Sequence, residues 1–142
     1  MPPILEFIIV GNPVTFRAKK KRKKGLLAKW KSKVKEEAAK HWPWPHKEPL
    51  TATMQCTLIH FHKGADSPLD NDNLSKPILD AMTRVIYEDD IQLVHTHVYQ
   101  TDIDHPPDLQ GATPILVEAI SDGKDFIYIR FDPPQERITL PG

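Results

Sequence analysis

The chain has 142 residues, the usual size of one domain and enough for folding to bury about two thirds of the unfolded surface. Lys plus Arg and Asp plus Glu both number 19, but the charges are segregated: residues 1–63 carry fourteen bases against four acids, and residues 64–142 five bases against fifteen acids. No apolar run is long enough for a membrane span or a signal segment, and a lone cysteine, Cys56, excludes an internal disulfide framework and a Cys-based zinc site, so a soluble, untargeted protein of a reducing cytoplasm is expected.

The run from Ile4 to Val10 is β-rich and ends in Gly11-Asn12-Pro13, which reads as a strand entering a turn. Residues 12–25 read as a basic loop. Leu27, Trp30, Val34 and Ala38 then recur at helical spacing, so Leu26 to His41 is an expected amphipathic helix with Lys29, Lys33 and Lys40 outward, stopped by Pro43-Trp44-Pro45. Thr51 to His62 alternates in places and reads as a strand that buries Cys56. After a polar loop over 64–73, the residues Leu74, Ile78, Met82 and Val85, with Leu79 and Ile86, form a broad apolar stripe. Proline lacks an N–H and is tolerated near a helix start, so Pro77 places the beginning of this second helix near Asp72 to Ser75. Ile91 to Gln100 and Ile115 to Ile120 read as strands, and Phe126 to Phe131 as an edge strand before a loose tail. The expected fold class is α+β: one domain over 1–142, with a mixed or mainly antiparallel sheet packed with two helices.

The stretch Asp70-Asn71-Asp72-Asn73-Leu74-Ser75-Lys76, followed by Asp90, carries the chemistry. Carboxylates two residues apart in an extended segment project to one side, so Asp70 and Asp72 can converge on one cation. Asp90 follows this helix and is expected to open the next strand, and it can join them if the chain doubles back, as a helix followed by an antiparallel strand allows. Hard oxygen ligands without a thiolate favour Mg²⁺, with Mn²⁺ as the alternative, over zinc. Lys76 lies one helical turn beyond Asp72 and off the apolar stripe, where an ammonium can stabilise charge developing on a transferred phosphoryl group. A bland reading stands beside this one: an Asx-turn and helix cap at Asp70 and Asp72, and an i,i+4 ion pair at Lys76.

At these residues the sequence resembles the RusA family of endodeoxyribonucleases, the Holliday junction resolvases of bacteria and their phages. The likeness rests on Asp70, Asp72, Asn73, Leu74 and Lys76, then Asp80-Ala81, then Asp89-Asp90 and Gln92, in the order D-x-D-N-L-x-K, D-A and D-D-x-Q. It covers most of residues 4–120, with 121–142 as an extension. The resemblance implies a homodimeric α+β enzyme that cuts branched DNA symmetrically. Mg²⁺ is then held by Asp70, Asp72 and Asp90, with Lys76 as the essential lysine and Asp89 as a neighbour. Asp66, Ser67, Pro68 and Leu69 supply no basic run ahead of the first motif Asp. Phosphate contact then falls to Arg17, Lys19, Lys20, Lys21, Arg22, Lys23 and Lys24, seven bases in eight residues. Such a run is also compatible with a solvated surface or an import signal.

Phe16, Trp42 and Trp44 are candidates for stacking on bases, or for core or dimer burial. His60 with His62 and His95 with His97 each share a strand face, a spacing that suits zinc or copper and equally suits an ordinary polar face. Two rival functions remain: a non-catalytic nucleic-acid-binding protein that uses the 17–24 loop, and a DxD-type metal-dependent phosphatase. The second would want an apolar strand directly before Asp70, where a polar loop stands.

Overall fold

A computed structural model describes residues 3–11, 13, 21–42, 47–63 and 71–142. Arg17, Lys19, Lys20, Phe16, Trp44 and Asp70 lie outside the described residues, and of Lys21, Arg22, Lys23 and Lys24 only the backbone is described.

Strand β1 spans Leu5–Val10 and buries Phe7 and Ile9 on one face. Helix α1 spans Lys21–His41, five residues longer at its start than the sequence suggests. Lys and Arg are good helix formers, and one Gly25 costs only about 1 kcal/mol in a helix, so the first four bases join the helix rather than the loop. Trp30, Val34 and Ala38, one turn apart, form its buried stripe. Strand β2 is Met54–His62 and helix α2 is Asn71–Met82. Pro77 stands in the second turn of α2, later than expected; it cannot donate to the Asn73 carbonyl and is itself buried against the core. A tight turn follows, with Arg84 at φ 69 and the amide N–H of Arg84 donating to the Tyr87 carbonyl. Strand β3 is Leu93–Asp102, helix α3 Pro114–Asp122 and strand β4 Phe126–Asp132.

The four strands form one mixed sheet in the order β1-β4-β2-β3. β4 runs antiparallel to both neighbours, while β2 and β3 are parallel and joined by the α2 crossover. The fold class is thus α+β with a mixed sheet, as the sequence indicates, but among the described residues three helices pack on it rather than two. Two of the expected strands differ. Ile115 to Ile120 is helical because Thr113 caps it and Pro114 opens it, and Gly123 closes it at φ 70, three signals that outweigh a β-branched run. Phe126 to Phe131 belongs to an interior strand, since both of its sides are paired. Its alternation suits that place: Ile127, Ile129 and Phe131 face α1 and α2, whereas Phe126 and Tyr128 face α3.

Register fixes what lies at each end of the sheet. Val10 and Phe61 both pair with Phe126, and His62 pairs with Asp102, so β1, β2 and β3 all finish at one end. Three bonds seal that end: Gly11 N–H to the Asp125 carbonyl at 2.8 Å, Lys63 N–H to the Asp125 carboxylate at 3.1 Å, and Ile103 N–H to the His62 carbonyl at 2.8 Å. Lys33 of α1 also reaches the Val10 carbonyl there. Asn71 and Asp72 start α2 at this end, and α2 then runs back across the sheet.

Candidate active site

Helix α2 divides its residues cleanly. Leu74, Ser75, Pro77, Ile78, Ala81 and Met82 are buried, and Asp72 and Lys76 are exposed. Asp72, Lys76 and Asp80 succeed each other at intervals of four, so they share one face. That agrees with the outward direction expected of Lys76. Asp72 lies in the first turn, where the helix dipole favours a negative charge.

The first residue of α2 is held from the neighbouring strand. Gln100 Nε2 of β3 donates to Asn71 Oδ1 at 2.8 Å, and Asn71 Nδ2 reaches the Val98 carbonyl at 3.5 Å. Both ends of the Asn71 amide are therefore engaged by β3.

Asp90 does not open a strand, contrary to expectation. It begins a single 3-10 turn, Asp90–Gln92, at the far end of α2, just before β3. The D-D-x-Q sequence explains this turn residue by residue. Asp89 caps it, its side chain accepting from Ile91 N–H at 3.1 Å. Gln92 Oε1 accepts the N–H groups of Glu88 and Asp89 at 3.0 and 2.9 Å, which completes a capping box. Gln92 Nε2 donates to the Leu50 and Ala52 carbonyls at 2.8 and 3.0 Å. With Asp89 and Gln92 occupied in this way, Asp90 is left exposed on an anchored turn.

Asp90 also has an unusual electrostatic setting. A hydrogen bond with the Asp89 side chain raises its pKa above the ordinary carboxylate value, helped by partial desolvation and by the charges of Asp89 and Asp80. Lys76 acts in the opposite sense. Lys76 is thus one turn from Asp72 in sequence and within electrostatic reach of Asp90. Behind the turn, the buried Tyr87 hydroxyl donates to the Leu79 carbonyl at 2.6 Å, and burial pushes its pKa up.

The donor set fits a hard divalent cation. The exposed candidate ligands are carboxylates, and Cys56 is fully buried with its pKa pushed up to about 12 by burial. Crowded negative charge around Asp90 is what a bound cation relieves. Among the described residues no group of three His, Cys, Asp or Glu side chains is placed to hold an ion. The histidine pairs do not combine either. His60 pairs with Gln100, and Thr57 with His97, in the β2–β3 register, so His60 and His62 lie on the face that carries α1 and α2, opposite His95 and His97. Burial, then the neighbouring His62, lowers the pKa of His60.

The chain matches the family profile of endodeoxyribonuclease RusA over residues 11–110. It belongs to the RusA endodeoxyribonuclease family. The matched span takes in α1, β2, α2, the 3-10 turn and β3, and with them Asp70, Asp72, Lys76, Asp89 and Asp90 and the bases at 17–24. Comparison with curated proteins finds no match. As a RusA-family member the chain falls among endonucleases of the junction-resolving type, and no helix among its described residues is long and apolar enough to cross a membrane. Gln100 carries no local signal in the sequence, because its bond to Asn71 spans 29 residues. Gln92 stands in the sequence only as part of the D-D-x-Q motif, and its anchoring function comes from the fold.

Proposed function

We propose that this chain hydrolyses phosphodiester bonds in four-way DNA junctions, in DNA recombination and repair. In this reading Asp70, Asp72 and Asp90 hold Mg²⁺, Mn²⁺ being able to replace it, and Lys76 acts on the scissile phosphate. The observation that carries the reading is the position of Lys76, which shares an exposed helix face with Asp72 and is felt by Asp90 across the anchored turn. When bound, the divalent ion supplies Lewis-acid polarisation of the phosphate and a nucleophile at neutral pH. The chain's own residues do the rest. The Asp72 and Asp90 carboxylates orient the site, the Lys76 ammonium offsets negative charge that grows on the phosphate oxygens, and the capped turn keeps Asp90 from moving. Bases at 17–24 bind phosphates without base readout, which suits a substrate recognised by shape. A homodimer offers two sites to a two-fold junction.

The test is cleavage of a synthetic four-way junction beside linear duplex, flap and single strand, with Mg²⁺ or EDTA. Junction cleavage that needs Mg²⁺ and falls at least ~100-fold in Asp72→Asn is expected, with junction binding retained. No metal-dependent cleavage of any DNA would refute the nuclease reading, and equal cutting of duplex and junction would refute junction selectivity. Light scattering at working concentration checks the dimer.

A further inference from the structure

We propose that Gln100 is a positioning residue for the carboxylate motif, acting through Asn71. This rests on the reading above, in which Asp70 and Asp72 flank Asn71 in the site. Asn71 is the first residue of α2, and β3 grips both ends of its side-chain amide: Gln100 Nε2 at 2.8 Å on the oxygen and the Val98 carbonyl at 3.5 Å from the nitrogen. An amide held at both ends has its rotamer set, which ties the start of α2, and with it Asp72, to β3.

Gln100 is itself backed from β2. Its register partner is His60, which shares its sheet face, is only 6% exposed and sits beside the His62 ring at a centroid distance of 5.3 Å. The Gln100 side chain thus projects from the sheet next to a buried aromatic ring rather than from open solvent. At its other end Asn71 is exposed. A hydrogen bond to an exposed partner adds little to folding stability, because water replaces it readily. Its effect on geometry is greater: a shift of about 1 Å in a catalytic group can cost on the order of 100-fold in rate. Residues that orient metal ligands from behind typically change metal affinity or activity by about 10–100-fold when removed.

Gln100→Met keeps the length and removes the donor. The full-length protein is compared with Gln100→Met, Asn71→Ala and the double variant on a four-way junction at saturating enzyme, with Mg²⁺ titrated. Gln100→Met is expected to lower the single-turnover rate or raise the Mg²⁺ midpoint by about 10-fold or more. Junction affinity in EDTA should stay within about 2-fold, and Tm within about 3 °C. Because Gln100 acts through Asn71, the double variant should be no slower than the slower single variant. If Gln100→Met cuts like the unaltered protein while Asp72→Asn is inactive, this inference is overturned and the nuclease reading stands. Multiplying losses in the double variant, or a drop in Tm that accounts for the loss of rate, also overturn it. If Asp72→Asn itself cuts normally, the site assignment beneath it has failed.

Discussion

Gln92 makes four hydrogen bonds with one amide and is 9% exposed, so its replacement tests how the Asp90 turn is held. Its partners Glu88, Asp89 and Ala52 are exposed residues and Leu50 is half-buried, so water can reach most of the groups left behind. At roughly 0.5–1 kcal/mol for each bond lost to re-solvated partners, Gln92→Leu should cost about 2–4 kcal/mol. Gln92→Glu is more informative. Its carboxylate can still accept from Glu88 and Asp89, yet it faces the Leu50 and Ala52 carbonyls, from which Gln92 Nε2 stands at 2.8 and 3.0 Å, with no proton to donate. That repulsion raises the pKa of the new carboxyl above its value in the unfolded chain, about 4.3. The sign follows: a raised folded pKa gives stability that is present below the unfolded value and lost as pH rises through the folded one. Gln92→Glu should therefore lie further below the unaltered protein at pH 7.5 than at pH 5, as measured by urea unfolding followed by circular dichroism. Junction cleavage by Gln92→Leu should fall about 10-fold, because Asp90 is no longer fixed. A loss under about 0.5 kcal/mol for Gln92→Leu, or a pH-independent deficit for Gln92→Glu, would refute the anchoring argument.

Two further outcomes follow from the fold. Cys56 has a pKa raised by burial to about 12, against an ordinary value near 9, so its contribution to stability is complete below pH 9 and declines between pH 9 and about 12. The decline should be about 1.4 kcal/mol per pH unit, and urea titrations from pH 8 to 10.5 should show a shallower slope in Cys56→Ala by that amount. An unchanged slope would mean that the thiol ionises without unfolding. Thr113 caps α3 at the Leu116 N–H and donates to the Glu6 carboxylate at 2.9 Å, which also accepts the Tyr128 hydroxyl at 2.6 Å. Thr113→Ala should cost about 1–2 kcal/mol by urea unfolding, and a loss below about 0.3 kcal/mol would show that α3 needs no cap.

Local chemistry was legible wherever its cause lay within a few residues in the chain. The α2 stripe, the outward Lys76 and the strands β1 and β2 all follow from side-chain periodicity, which the sequence displays directly. The α3 helix was legible too, in Thr113-Pro114 and Gly123, but a β-branched run competes with those caps and favours a strand on propensity alone. Charge and a glycine similarly suggest a loop at 21–25, where the apolar stripe of Trp30, Val34 and Ala38 further along supports a longer helix.

By itself, then, the sequence determined the residue types of the site, their order and their helical phase. The tertiary structure decided which of them meet. Strand order is not a local property: β4 is interior only because β1 and β2, more than sixty residues apart from it along the chain, pair with its two edges. The same pairing puts the two histidine pairs on opposite faces and brings Gln100 onto Asn71. It also places Asp90 on a capped turn where the chain alone suggested the start of a strand. Such contacts depend on packing between elements distant in sequence, and only the folded sheet sets their register.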